Sequence, residues 1–81
     1  MLKNRHIGRF SLDIDLINRQ TSDVLRIMDG MIVVKTDYDP CANKIDYMAV
    51  CPKYFRGVAY GEIAPEYIFE LTDDTVVARE L

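Results

Sequence analysis

The run Phe10-Ser11-Leu12-Asp13-Ile14-Asp15-Leu16 alternates strictly between apolar and polar side chains. Successive side chains of an extended chain point to opposite faces. The spacing therefore predicts a half-buried β-strand over 10–16, with Phe10, Leu12, Ile14 and Leu16 on its dry face and Ser11, Asp13 and Asp15 on its wet one. A strand of this kind commits the chain to a sheet and displays negative charge on its surface.

The rest of the chain supplies partners for that strand. Thr21 to Gly30 carries the marks of a short helix: Thr21 or Ser22 to cap the first amides, Asp23 at the positive end of the dipole, and Gly30 to take the left-handed conformation that ends it. Val24, Ile27 and Met28 then share its buried face. Met31–Tyr38 and Ile45–Cys51 read as strands joined by a turn-rich connection, Asp39 to Lys44, and so as a hairpin. Ile32, Val34, Ile45, Tyr47 and Ala49 are expected on one face of this hairpin, and Met31, Val33, Met48 and Val50 on the other. Two apolar faces require two covers, and either the helix or another protein chain supplies the second. Met31, Val33, Met48 and Val50 are thus the expected self-association surface. Residues 52–65 are irregular and aromatic, and Glu66–Leu71 pairs with Thr75–Glu80 about the turn Thr72-Asp73-Asp74.

Five strands and one helix point to a mainly β (α+β) fold. The expectation is a bent antiparallel sheet or small barrel, with one short helix after the first strand, in a single domain spanning 1–81. Residues 1–9, with Lys3, Arg5 and Arg9 and no acid, are expected to form a mobile basic arm.

At 81 residues the chain can bury only about 60 to 65% of the surface it exposes when unfolded, enough for one thin core. A hydrophobic content of 49% is too high for a disordered chain. No apolar stretch approaches the ~20 residues of a membrane span, and the first residues lack the apolar core of a signal peptide. The expected location is the cytoplasm, or the host cytoplasm for a phage-encoded chain. Cys41 and Cys51 are expected to be separate free thiols, because a strand of ~3.3 Å rise per residue stands between them. With one histidine, His6, they do not make up a zinc set, and no metal or cofactor is expected.

Candidate chemistry is sparse. Asp13 with Asp15 and Asp73 with Asp74 pair carboxylates, but on a wet strand face and a loop tip, where solvent levels their pKa values. No glycine-rich phosphate loop appears, and no Ser or Cys nucleophile has a histidine near it in sequence. The chain reads as non-enzymatic. Arg56-Gly57-Val58-Ala59-Tyr60 loosely matches the base-stacking run of RNA-recognition sheets, but Val58 stands where the first aromatic belongs and no second helix precedes the last strand.

Charge is more informative. The net charge is −3, and the last third holds Glu62, Glu66, Glu70, Asp73, Asp74 and Glu80 against Arg79 alone. Such an acidic pole opposes phosphate backbones and suits a basic protein surface. The functional expectation is a small acidic protein that occupies a basic surface on a larger protein, as phage or mobile-element inhibitors do when they block host nucleic-acid-binding machinery such as a defence complex. Its contact residues are expected to be Glu62, Glu66, Glu70, Asp73 and Asp74, with Tyr54, Phe55, Arg56 and Tyr60 from the aromatic stretch. A self-associating structural subunit is the alternative, with a nucleic-acid-binding β module third.

Overall fold

A computed structural model describes residues 5–81 of the chain. The elements run β1 (Ile7–Asp13), α1 (Ile14–Arg19), α2 (Thr21–Met28), β2 (Ile32–Asp39), β3 (Lys44–Val50), β4 (Tyr67–Leu71) and β5 (Val76–Glu80). The five strands form two antiparallel sheets, one ordered β1-β3-β2 and the other β4-β5. The mainly β class and the helix after the first strand agree with the sequence reading. Of the two architectures it allowed, a closed barrel does not form among the described residues.

The first strand is shorter than its alternation implies. Asp13 pairs with Lys44, the first residue of β3, so beyond it the chain has no ladder to join. Ile14 to Arg19 instead coil into α1, and Leu16 and Ile17 reach the core from a helix. Over so few residues both periods place apolar groups inward, and the missing strand partner decides between them. Gln20 separates the helices and caps α2 through its carbonyl, which accepts from the amides of Asp23 and Val24. The expected side-chain cap is absent: the Thr21 hydroxyl donates back to the Ile17 carbonyl. Gly30 takes the expected left-handed conformation at φ +74°.

Register corrects the expected faces of the β2–β3 hairpin. Val33 pairs with Ala49, Val34 bulges out, and Lys35 pairs with Met48. Cross-strand partners share a face, so Val33 lies with Ala49, and Ile32 lies with Val50. The four residues expected as one apolar patch are therefore dispersed. Met31 packs on the main core, Met48 and Val50 pack on a second cluster, and Val33 is partly exposed.

The main core lies on the Phe10, Leu12 and Ala49 face, under α2 (Val24, Ile27), the β4-β5 sheet (Tyr67, Phe69) and Phe55. Here the aromatic rings interlock. Phe10 stacks on Tyr47 at 5.1 Å and meets Phe69 edge-on at 5.0 Å, while Phe55 lies 4.7 Å from Tyr67. On the opposite face, Ile7, Val58 and Ala64 close the second cluster. The second cover is thus supplied by the irregular 52–65 segment rather than by the helix.

That same segment closes the outer edge of β1. Arg5 and Val58 exchange backbone hydrogen bonds of 2.9 and 2.8 Å, and the Arg9 amide donates to the Pro65 carbonyl at 2.8 Å. The expected mobile arm is corrected to this extent: residues 1–4 lie outside the described residues, while Arg5 to Arg9 are built into the sheet. Cys51 is buried and Cys41 exposed, and both are free thiols.

Gly8 is required by close approach. A Cβ there would lie 2.8 Å from ring carbons of both Phe55 and Tyr67, closer than packed atoms tolerate. Gly8→Ala should therefore destabilise the fold by roughly 1–3 kcal/mol, as overpacking does. For a domain of this size each kcal/mol lowers Tm by about 4–8 °C. A thermal melt by circular dichroism checks this, and an unchanged Tm would show that the rings move aside freely.

Candidate functional site

Half of the acidic pole, three residues of six, is paired with arginine. Glu66 stands 3.9 Å from Arg9, Glu70 pairs with Arg79, and Glu80 meets the Arg56 guanidinium at 2.7 and 3.3 Å. Glu62 accepts from the Ala59 amide at 3.3 Å. Asp73 and Asp74 differ. They sit on the exposed β4–β5 tip and have no ion pair among the described residues. Thr72 and Thr75 close the turn beneath them through hydrogen bonds of their own, so neither aspartate is needed to shape it.

The aromatic stretch also divides. Phe55 is 2% exposed and belongs to the core, which corrects its placement among the partner contacts. It is drawn inward because the Phe55 amide bonds the Cys51 carbonyl in a tight turn directly beyond β3, over Gly8. Tyr60 is exposed, with the Arg5 guanidinium 5.0 Å from its ring centre. Arg56 is exposed but tied to Glu80. Val58, at the centre of the RNA-like run, is buried and lies in an irregular segment, so that run forms no stacking platform.

Tyr54 and Asp74, distant in sequence, meet in one groove. Arg26 of α2 donates to the carbonyls of Thr72 (2.8 Å) and Thr75 (3.3 Å) while holding Asp23 at 3.3 Å, which clamps the hairpin tip against the helix. The resulting groove, of about 570 Å³, is lined by Leu25, Arg26, Asp29, Lys53, Tyr54 and Asp74, among others. Leu25 is 65% exposed beside it. Lys53 lies over the Tyr54 ring at 5.1 Å, and the buried Tyr54 hydroxyl has no hydrogen-bond partner among the described residues. Asp29 and Leu25 escape a reading of the sequence alone. The available signal is Leu25 itself, an apolar residue set beside, not within, the Val24–Ile27–Met28 face.

A second groove, of about 660 Å³, lies over the polar face of the three-stranded sheet. Arg9, Lys35 and Lys44 alternate there with Asp37, Asp46 and Glu66, so its charges largely cancel. Its own bonds consume several of them: Ser11 donates to Asp46, and Lys35 pairs with Asp37 at 3.6 Å. The tip groove balances Asp29 and Asp74 against Arg26 and Lys53, and what sets it apart is the exposed hairpin tip beside it, where Asp73 and Asp74 have no ion pair among the described residues. Among the described residues no three His, Cys, Asp or Glu side chains gather as a metal site, and no helix is long and apolar enough to cross a membrane.

The chain matches no protein-family profile, no curated protein and no solved structure.

The Arg56–Glu80 pair gives a direct check of the electrostatics. The hydrogen bond from Arg56, then its charge, holds the Glu80 carboxyl below the ordinary glutamate range, while partial desolvation opposes them. A carboxyl depressed in the folded state adds stability above its unfolded pKa and loses it as pH falls through the folded value. In an NMR titration, Glu80 should protonate at lower pH than an unpaired glutamate and return toward the ordinary value in Arg56→Gln. An unshifted Glu80 in the wild type would show that the pair does not form in solution.

Proposed function

We propose that the chain is a small non-enzymatic binding protein that occupies a basic surface on a larger protein, with the β4–β5 tip and its adjoining groove as the contact. The observation that carries this is the contrast within the acidic pole. Glu66, Glu70 and Glu80 are matched by arginines, while Asp73 and Asp74, on the exposed tip of the hairpin, have no ion pair among the described residues. Unpaired charge on a rigid protrusion steers an oppositely charged partner and adds little to the stability of the fold.

The groove supplies what charge alone does not. Leu25 and Tyr54 offer an apolar floor beside Asp29 and Asp74, so a basic side chain can meet a carboxylate while its stem packs on carbon. Basic surfaces of this description are typical of nucleic-acid-binding proteins. Inhibition of such machinery by a phage or mobile-element protein is the specific role that this chemistry suits, with the protein competing for the phosphate-binding site.

The test is association kinetics with a partner captured at low salt. Asp73→Lys combined with Asp74→Lys should slow association on the order of tenfold or more, with dissociation and Tm little changed. Leu25→Asp should instead speed dissociation. The wild-type rate should fall with salt, as the Debye length shortens from about 10 Å at 0.1 M to about 3 Å at 1 M. Binding indifferent both to the charge reversal and to salt would reject the proposal.

A further inference from the structure

Independently of that reading, the sheet has one closed edge and one open one. The outer edge of β1 is sealed by residues 58 and 65. β2 pairs only with β3, and its other edge has no strand beside it among the described residues. It is also uncovered on both faces: Ile32 is 67% exposed, Val34 54% and Tyr38 60%. A strand of eight residues, half of them apolar, left open in this way is a template for another strand that matches its charges.

Its sequence specifies which strand. We propose that β2 pairs antiparallel with β2 of a second copy, with the two-fold axis at Thr36, joining two three-stranded sheets into one of six. In that register Lys35 faces Asp37 of the other copy, Asp37 faces its Lys35, and Val34 faces its Tyr38. Beyond the bulge at Val34 the register sets Val33 against Asp39, but from Val34 to Tyr38 charge meets opposite charge and apolar meets apolar on both sides of the axis. No neighbouring register does this. An axis at Lys35 or at Asp37 sets like charges face to face, and an axis at Val34 sets Val33 against Lys35 and Ile32 against Thr36 and brings no opposite charges together.

The geometry is prepared for the exchange. Lys35 and Asp37 already pair within one chain at 3.6 Å, each side chain 64% exposed, so both project from the same face of the strand. A second copy extends this pair into an alternating set of four charges. An isologous contact of this kind closes on itself as a dimer and leaves no further open edge in that sheet, because each β1 is sealed.

Charge-swap variants test the register through solution mass, with circular dichroism melts confirming that each variant folds. Sedimentation of the wild type should show a concentration-dependent doubling of the 9.3 kDa mass. Lys35→Asp and Asp37→Lys should each remain monomeric over the same range. An equimolar mixture of the two, or the double swap in one chain, should restore the dimer, because opposite charges again face each other across the axis. In a Cys41→Ser background, Thr36→Cys should oxidise to a covalent dimer, since residues opposite on antiparallel strands lie about 4.5–5.5 Å apart, within disulfide reach. A wild type that stays monomeric throughout, or a dimer indifferent to all the swaps, would overturn the proposal.

Discussion

Gly8 and Ala49 face each other across the β1–β3 ladder, and the missing bulk at that point allows the rest of the molecule to close. Ala49 is completely buried, and the Phe55 and Tyr67 rings descend onto the glycine. Phe55 draws the 52–65 segment over the sheet, and Tyr67 docks the second hairpin. The Tyr67 hydroxyl then accepts from the Arg56 amide at 3.1 Å, tying the two together. In a chain this small, with a core this thin, one dense aromatic contact has a large effect on stability.

The same closure distributes exposure. The 52–65 segment crosses β1 and packs Val58 and Ala64 on its back, so one edge and part of one face are sealed. Nothing comparable among the described residues reaches β2, which therefore stays open although half of its residues are apolar. At the far end Arg26 fixes the β4–β5 tip to α2 and leaves Asp73 and Asp74 projecting. An open strand edge and an acidic tip, both available to other molecules, are thus set by where the covering segments stop.

Much of the fold was legible because its signals are local. Turn residues placed both hairpins, Gly30 ended α2, and Val24 and Ile27 were correctly assigned to its buried face. What the sequence hid depends on distant partners. The alternation through Leu16 could not reveal that β3 begins opposite Asp13, and the bulge at Val34, which moves Val33 to the other face, leaves no local trace. For the candidate site, the acidic tip was visible in Asp73 and Asp74. The arginines that neutralise Glu66 and Glu80 come from β1 and from residue 56, and only the folded chain brings them there. Phe55 looked like an exposed anchor because nothing in its neighbourhood shows that Gly8 makes room for it.

The central claim is the asymmetry of the two sheet edges, and native-state amide hydrogen exchange on a dilute sample measures it residue by residue. The amides of Arg5, Arg9 and Val58, bonded across the outer edge of β1, should be protected together with those of β3. The amides of β2 that point away from β3 should exchange nearly as fast as unfolded chain. Rapid exchange at Arg9 and Val58, or protection along the whole of β2 in the dilute monomer, would contradict the account.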